Sequence, residues 1–303
     1  SDAQLYLWKI YYEGKHISRD INKSIYYLTL SANQNNSDAQ YILGIAHLYG
    51  NSVESNLNKS IYYLTLSASK NDPRAQFVLG KIYCDGIHIK CDINKSIHYL
   101  SLSANQNFDL AQYLLGIIYY EDKLIQRDIK KSIYYLSCSA NQNNPIAQNV
   151  LGTIYYVGKY IDRDVNKSIY YLSLSAKQKN ADAQCILGIV YYENMYIQRD
   201  INKSIYYLTI SANQNNSFAQ YILGEIYLEG RYIARDINRS IYYLSLSANL
   251  NYDNAQCLLG QIYYDDKFIQ QDINKSEYYL SFSANNNNAT AQYYLGHLYL
   301  FKK

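Results

Sequence analysis

The stretch DINRSIYYLSLSAN occupies residues 236–249, and close copies of it begin at residues 20, 92, 128, 164, 200 and 272. Beyond this stretch, the dipeptide Ala-Gln recurs every 36 residues without an insertion, at Ala3, Ala39, Ala75, Ala111, Ala147, Ala183, Ala219, Ala255 and Ala291. A fixed period of this length is typical of solenoids, whose repeats bury their apolar faces against one another. We therefore predict a single solenoid domain over residues 1–303. Its units are 1–36, 37–72, 73–108, 109–144, 145–180, 181–216, 217–252, 253–288 and the half unit 289–303.

Each unit is predicted to contain two helices, which we call helix A and helix B. Helix B begins after an N-cap residue such as Asp236, and its buried face repeats at spacings of three and four. That face comprises Ile237, Ser240, Ile241, Leu244, Ser247 and Ala248. Helix B is predicted to end at residues that tolerate the left-handed conformation. These are Asn35, Asn71, Asn107, Asn143, Asn215, Asn251 and Asn287, with Lys179 as the exception.

Helix A is predicted to begin at the residue after this column. Its N-caps are Asn36, Asp72, Asn144, Asn180 and Asn216, and Pro73 and Pro145 occupy the first turn, where proline is tolerated. Its buried face carries Ala39, Leu43 and Ala46. Helix A is predicted to end at a second column of left-handed residues. That column is Gly14, Gly50, Gly86, Asp122, Gly158, Asn194, Gly230 and Asp266.

The third unit carries a pattern that identifies the repeat. It reads Ala75-Gln76, Leu79-Gly80, Tyr83, Gly86, Ile89, Asp92, Lys95-Ser96, Tyr99, Ser103-Ala104 and Asn107. This pattern resembles the Sel1-like repeat, a relative of the tetratricopeptide repeat, and the resemblance covers all 303 residues. It implies an all-α fold, an α/α solenoid that forms a right-handed superhelix of 36-residue helix-turn-helix units. It also implies a scaffold or adaptor that binds proteins or peptides.

The sequence departs from the family pattern at three positions. Serines stand where the family has two helix-B alanines, at Ser24, Ser31 and their equivalents. Bulky or polar residues replace the glycine expected before the Ile17 column, at His16, Ser52, His88 and Tyr160. Trp8 replaces the glycine of the first Leu-Gly pair. Serine is small enough for close helix packing, so we expect the fold to be kept and the first unit to be a distorted end cap.

The composition argues against several classes of protein. A net charge of +3 with 17% charged residues is too small and too mixed to argue, by composition alone, for a nucleic-acid or membrane partner. No run of 18 apolar residues exists to span a bilayer. The five cysteines form no Cys-x-x-Cys pair, which favours reduced thiols over a metal site or disulfides.

The chain begins at Ser1 and shows no cleavable signal, so we expect a truncated or processed N-terminus. Seven Asn-x-Ser sequons, the first at Asn22, lie in the first turn of helix B. Glycans there would disturb the stacked helices, which favours a cytoplasmic location.

No arrangement of residues points to catalysis, and we predict a non-enzymatic protein without cofactor or metal. The histidines are scattered at His16, His47, His88, His98 and His297. The glycines lack phosphate-loop spacing, and no histidine recurs beside a serine. His47 is predicted to pack in a column otherwise occupied by tyrosine.

The 39 tyrosines fall into columns with different predicted roles. The columns that begin at Tyr11 and Tyr27 match packing aromatics of the family and are predicted to lie in the core. The column of Tyr26, Tyr62, Tyr134, Tyr170, Tyr206, Tyr242 and Tyr278, with His98 inserted, is predicted to point outward. This outer ladder either covers neighbouring units, forms an adhesive surface, or reflects codon bias.

A second surface is predicted on helix A, opposite its buried residues. The columns that begin at Leu5, Lys9 and Tyr12 share this face because they are four and three residues apart. In tetratricopeptide-like arrays this face lines the concave groove. The predicted partner-binding residues are Tyr113, Ile117, Tyr120, Glu121, Tyr156, Ile189, Tyr192, Glu193, Tyr221, Glu229, Tyr264 and Asp265. Their tyrosines offer broad contact area, and their carboxylates form an acidic rim that favours a basic, apolar peptide.

Two alternative functions remain open on the sequence alone. Helical repeats can bind RNA by stacking bases on tyrosine, although an acidic rim would repel phosphate. A cysteine-rich branch of Sel1-like proteins is linked to cell-wall or β-lactam chemistry, but only one unit here has two cysteines, Cys84 and Cys91. We also predict self-association through the last helix A. Its apolar face of Ala291, Tyr294, Leu295, Leu298 and Tyr299 has no following helix B, so we expect either that further residues were removed after it or that this face meets another molecule or copy.

Overall fold

The computed structural model describes residues 1–15, 17–87, 89–121, 123–193, 197–267 and 269–301. Within these ranges the chain forms seventeen α-helices and no strand, so the all-α prediction is confirmed. The helices A are α1 (Asp2–Glu13), α3 (Ser37–Tyr49), α5 (Pro73–Asp85), α7 (Asp109–Tyr120), α9 (Pro145–Val157), α11 (Ala181–Tyr192), α13 (Ser217–Glu229), α15 (Asp253–Tyr264) and α17 (Ala289–Phe301). The helices B are α2 (Ile21–Asn33), α4 (Leu57–Ala68), α6 (Ile93–Asn105), α8 (Ile129–Asn141), α10 (Val165–Lys177), α12 (Ile201–Ala212), α14 (Ile237–Asn249) and α16 (Ile273–Asn285).

The chain packs into two compact units, Ser1–Ala147 and Gln148–Lys303. From here on, "first unit" and "second unit" mean these two parts of the chain, and each 36-residue segment is called a repeat. Within each unit the helices stack in sequence order as a solenoid, each pairing mainly with the helices before and after it. A single domain over the whole chain stays a prediction.

Both ends of helix B are as predicted. The Asp236 carboxylate accepts a hydrogen bond from the backbone N–H of Arg239 at 3.0 Å, and the Asp20 carboxylate does the same for Lys23 at 2.9 Å. All seven asparagines after helix B have φ between 60° and 66°. Lys179 shares this conformation with φ 64°, although a side chain there costs roughly 1–2 kcal/mol.

The start of helix A is as predicted, but its end is only partly so. Asn36 and Asn216 each cap the N–H three residues later at 2.9 Å, and Gly230 ends α13 in the left-handed region. The prediction that α15 ends at a left-handed residue, Asp266, is wrong. The helix ends at Tyr264, and Asp265 follows it with φ −91°. Without glycine the left-handed turn is strained, so the chain leaves the helix one residue earlier in an extended conformation. Asp122 and Asn194 lie outside the described residues.

The core of each repeat is a close contact between helix A and helix B. A Cβ atom added to Gly224 would lie 2.5 Å from Cγ of Leu244, which is fully buried. The same contact recurs at Gly44, Gly80, Gly116, Gly152, Gly188 and Gly260. The glycine of the Leu-Gly pair therefore permits the helix approach, as the sequence indicates.

A buried glutamine joins successive repeats. The Gln184 side chain donates to the Ala176 carbonyl of the preceding repeat at 3.1 Å, and its Oε1 accepts from Gln214 at 2.6 Å. In the next repeat Leu250 stands in place of the donor, and the buried Oε1 of Gln220 has no partner among the described residues. The repeats therefore differ in hydrogen bonding even where their backbones match.

The first and last helices differ from the rest. In α1 no residue is fully buried, and Trp8 packs against the cluster around Leu28 while it stacks on Tyr12 at 5.7 Å. On α17, the predicted open face is partly wrong. Ala291 and Leu298 are buried against the preceding repeat. The exposed side of α17 is instead formed by Tyr293, Gly296, Tyr299 and Leu300.

The Tyr11 and Tyr27 columns were predicted to lie in the core, and the structure corrects this. Each tyrosine of helix A stacks on its helix-B partner, with ring centroids 5.7–6.1 Å apart, and His47 stacks on Tyr63 in the same way. The pairs are half-buried, and only Tyr227 of the two columns is fully buried. The phenol groups keep these rings at the margin of each helix pair, where their polar ends reach water.

Candidate functional site

The predicted partner-binding residues lie on the exposed side of the helices A, a surface we call the helix-A face. In the first unit Tyr113, Ile117 and Tyr120 follow one side of α7, and all three are partly buried. Burial, together with the charge of Glu121, raises the pKa of the Tyr113 phenol. Glu121 forms an ion pair with Lys123 at 3.2 Å, so this part of the face carries both charges.

In the second unit Tyr192 has polar and aromatic partners from the next repeat. Its hydroxyl donates to the Glu229 carboxylate at 3.2 Å, and its ring meets Tyr232 edge to face at 5.7 Å. Burial and the nearby Glu229 raise the pKa of Tyr192 to about 12. The structure therefore brings Tyr192 and Glu229 together from successive repeats.

The other predicted residues of the second unit occupy the same helices without forming one cluster. Tyr156, Ile189 and Glu193 are partly buried, while Asp265 is exposed. Tyr264 packs edge to face on Tyr294 at 5.7 Å, and its hydroxyl lies 2.5 Å from Nδ1 of His297. The helix-A face thus consists of local aromatic groups, each with its own polar partners.

An arginine column on this face was missed by the sequence reasoning. Arg19, Arg127, Arg163, Arg199 and Arg235 recur at multiples of 36 residues, which is a signal that the sequence offered. Nε of Arg127 donates to the Tyr120 carbonyl at 2.6 Å, and Nε of Arg199 donates to the Tyr192 carbonyl at 2.5 Å. A cation suits these carbonyls because helix C-termini carry partial negative charge. The predicted acidic rim is therefore a rim of mixed charge.

Glu225 is a second residue that sequence reasoning did not select. It lies between Tyr221 and Glu229 on α13, and the Tyr221 hydroxyl donates a hydrogen bond to its carboxylate. Burial raises the pKa of Glu225, although the Tyr221 hydrogen bond opposes this shift. Burial also raises the pKa of Tyr221. Tyr221 and Glu225 therefore form a partly desolvated polar pair on the helix-A face.

Clefts open between successive helices A in both units. In the first unit a cleft of about 300 Å³ is lined by Leu48, Phe77, Lys81 and neighbouring side chains. In the second unit a cleft of about 560 Å³ is lined by Leu228, Gln261, Leu258, Tyr264, Asp265, Asp266 and Tyr294, among others. Several of these residues belong to the variable columns of the helix-A face.

The outer ladder is exposed, as predicted. Its seven tyrosines have 58–63% of their surface accessible, and each ring packs edge to face on its neighbour in the Tyr27 column. In seven repeats the Lys or Arg at the position of Lys23 has its charged group 5.0–5.4 Å from the ring centroid of the tyrosine in the Tyr11 column. The same side chain forms an ion pair with the aspartate that caps helix B. This face repeats almost unchanged, whereas the helix-A face varies.

Burial raises the pKa of three cysteine thiols, Cys84, Cys185 and Cys257. All five cysteines are free thiols, and burial raises the pKa of Cys185 to about 12. Cys84 lies in the same repeat as Cys91. A buried thiol with a raised pKa is a poor nucleophile and metal ligand. Over the described ranges, no three His, Cys, Asp or Glu side chains are grouped to hold a metal ion, and no helix is long and apolar enough to cross a bilayer.

Comparison with known proteins gives consistent results for family and fold. The Sel1 repeat model matches residues 1–36, 37–72, 73–108, 109–144, 145–180, 181–216, 217–252, 253–288 and 289–301. Among solved structures, a protective antigen present in uropathogenic Escherichia coli strains, which displays an SLR fold, is 27% identical with a TM-score of 0.87. That match covers 99% of this chain and 64% of the antigen, so the chain spans less than two thirds of this relative. A Sel1 repeat protein from Oxalobacter formigenes is 25% identical with a TM-score of 0.79, covering 98% of this chain and 86% of that one. No functionally curated protein matches the chain.

Proposed function

Because the chain belongs to the Sel1 repeat family, whose members typically mediate protein–protein interactions and are generally non-enzymatic scaffolds, we propose that its helix-A face binds a protein or peptide partner. The observation that supports this proposal is that the half-buried aromatic side chains and the clefts lie at the sequence positions where the repeats differ from one another. Partly desolvated tyrosines are favourable contact residues because they provide large area and a polar end. The scaffold and the site thereby occupy different residues of one repeat.

The proposed partner is a peptide segment with apolar anchors and basic flanking residues. Ile117 and Ile189 provide apolar contacts, while Glu193, Glu229 and Asp265 provide negative charge. The arginine column makes the rim mixed, so we assign the anchors most of the affinity and the rim charges mainly the association rate. The same arginines are the observation that favours RNA as a second candidate, since Arg163 lies 5.7 Å from the Tyr156 ring centroid.

The location and the assembly state belong to the same proposal. We place the protein in the cytoplasm because the seven sequons lie in the first turn of helix B, where attached glycans would stand close to the stacked helices. Self-association is proposed through the exposed side of α17, where Leu300 is 74% accessible. Light scattering over a range of concentrations measures this directly, and a monomer at all concentrations contradicts it.

Two matched double variants in the second unit test the binding surface. Tyr156→Ala/Tyr192→Ala removes two rings of the helix-A face, whereas Tyr170→Ala/Tyr206→Ala removes two rings of the outer ladder. Truncation of one buried aromatic anchor costs about 2 kcal/mol of binding, which is roughly thirtyfold in affinity. We expect the first variant to weaken a peptide selected from a display library by at least that factor. The second variant is expected to bind as the parent does.

Circular dichroism and thermal melting accompany both variants to verify folding. Loss of binding in the ladder variant alone would move the site to the outer ladder. A library that yields no peptide, together with salt-dependent binding of single-stranded RNA that the Tyr156→Ala/Tyr192→Ala variant loses, would favour the RNA-binding alternative.

A further inference from the structure

The seventh repeat places a carboxylate in the middle of the helix-A face. The corresponding positions in the neighbouring repeats of the same unit are Thr153, Ile189 and Gln261, so Glu225 is the only acidic residue among them. Its side chain is partly buried, and the Tyr221 hydroxyl donates a hydrogen bond to one carboxylate oxygen. In this unit the column thus contains one partly buried negative group.

Among the residues that the structure describes, no cation compensates Glu225. Across the ranges that the structure describes, no Lys, Arg or His nitrogen lies within 4.0 Å of its carboxylate. The charged or titratable groups that act on it are Tyr221 and Glu229, and Glu229 adds negative charge. A partly buried carboxylate without a cation is unfavourable, and a cationic partner relieves that cost.

Aromatic rings stand beside this carboxylate. Tyr252, at the start of α15, lies 5.2 Å from Tyr221, and Phe218 lies 6.0 Å from Tyr252 and 6.5 Å from Tyr221. All three rings belong to the seventh repeat, with Phe218 and Tyr221 on α13 and Tyr252 at its last position, next to α15. Aromatic faces attract cations, and tyrosine does so more strongly when the site is partly shielded from water.

The same unit already contains a guanidinium group held by this chemistry. The guanidinium carbon of Arg199 lies 3.6 Å from the Tyr232 ring centroid and 5.7 Å from that of Tyr192. Tyr192 in turn donates a hydrogen bond to Glu229. An arginine between two tyrosines, next to a carboxylate, is therefore an arrangement that this surface accommodates.

We propose that the surface site formed by Tyr221, Glu225 and Tyr252, with Phe218 at its edge, receives an arginine side chain of the partner, and we call this site the pocket. This inference rests on the proposed function and specifies the chemistry of the partner at one position. Guanidinium N–H groups donate to the Glu225 carboxylate, while the planar group lies against the Tyr252 ring. Charge-assisted hydrogen bonds of this kind are stronger than neutral ones, so the pocket selects arginine over an isosteric neutral side chain.

Selective labelling makes the pocket observable in the full-length chain. The sequence contains seven glutamates, Glu13, Glu54, Glu121, Glu193, Glu225, Glu229 and Glu277, so ¹⁵N-glutamate labelling gives a simple spectrum. The Glu225→Gln variant identifies the Glu225 amide signal. The probe is N-acetyl-arginine methylamide, and its control is the citrulline analogue, which keeps the shape and lacks the charge. We expect the arginine probe to shift the signals of Glu225 and Glu229 in a saturable manner, and the citrulline probe to bind at least tenfold more weakly.

Matched variants separate this inference from the proposed function. Asp162→Asn, which removes one charge from an exposed loop of the same unit, is expected to leave the titration unchanged, while Glu225→Gln abolishes the response at Glu229. An unmoved Glu225 signal, or equal responses to the two probes, overturns the arginine pocket. If a display-selected peptide still loses affinity in Tyr156→Ala/Tyr192→Ala, the proposed function stands without the pocket. If that peptide binding is unaffected and only the probe binds, the pocket stands and the wider surface fails.

Discussion

At the scale of single residues, identical side chains at equivalent positions of the repeats differ in their hydrogen bonds. The first serine of helix B is fully buried in every repeat, but its hydroxyl has different surroundings. The Ser240 hydroxyl donates to the Gly224 carbonyl at 2.8 Å, whereas the buried Ser204 hydroxyl has no hydrogen-bond partner among the described residues. An unsatisfied buried hydroxyl costs about 1–3 kcal/mol, while a satisfied one contributes about 1 kcal/mol.

This difference predicts opposite effects of one substitution within the second unit. We expect Ser240→Ala to lower the free energy of unfolding by about 1 kcal/mol, because it removes a buried hydrogen bond. Ser204→Ala is expected to be neutral or stabilising by up to about 1 kcal/mol, because it removes an unsatisfied group. Urea unfolding monitored by circular dichroism measures both midpoints. Equal destabilisation by the two variants would falsify the distinction.

At the scale of helices, the local signals predicted most of the structure and the contacts between repeats did not follow from them. Caps such as Asp236 and left-handed residues such as Asn251 depend on their own few neighbours, and these predictions were confirmed. The surroundings of Glu225 depend on Tyr252, which comes 27 positions later, after the intervening helix B of the same repeat. The sequence placed Tyr192 on the helix-A face but did not indicate that the Arg199 guanidinium would lie over its ring.

The close approach of helix A and helix B gives a matched pair of glycine substitutions. Gly224→Ala would place a Cβ atom 2.5 Å from Leu244, so we expect a loss of about 1–3 kcal/mol from overpacking. At the equivalent Gly296 on α17, an added Cβ has no heavy atom within 4 Å. There the change is expected to stabilise by up to about 1 kcal/mol, because alanine favours a helix more than glycine does. Thermal melts of both variants test this, and a stabilised Gly224→Ala would contradict the packing argument.

At the scale of the whole molecule, the constant period makes each repeat removable as a block. The helices pack mainly on the preceding and following helices, so α11 and α12 contact α10 and α13 and few others. Asn180 caps α11 through the Ala183 N–H at 2.9 Å, and Asn216 caps α13 through the Ala219 N–H at the same distance. Residues 181–216 therefore begin and end at equivalent points of the repeat.

We expect deletion of residues 181–216 to leave a folded solenoid with unchanged mean residue ellipticity. In that variant Asn180 takes the place of Asn216 as the cap of α13, and the Ala176 carbonyl becomes available to Gln220 in place of Gln184. Deletion of residues 181–198, which removes helix A and its loop alone, would instead join two helices B and leave their apolar faces without the partner that each requires. We expect that control to lose cooperative unfolding and to aggregate. Circular dichroism, urea unfolding and light scattering compare the two deletions, and a full-repeat deletion as unstable as the half-repeat deletion would mean that interactions beyond neighbouring repeats hold the fold.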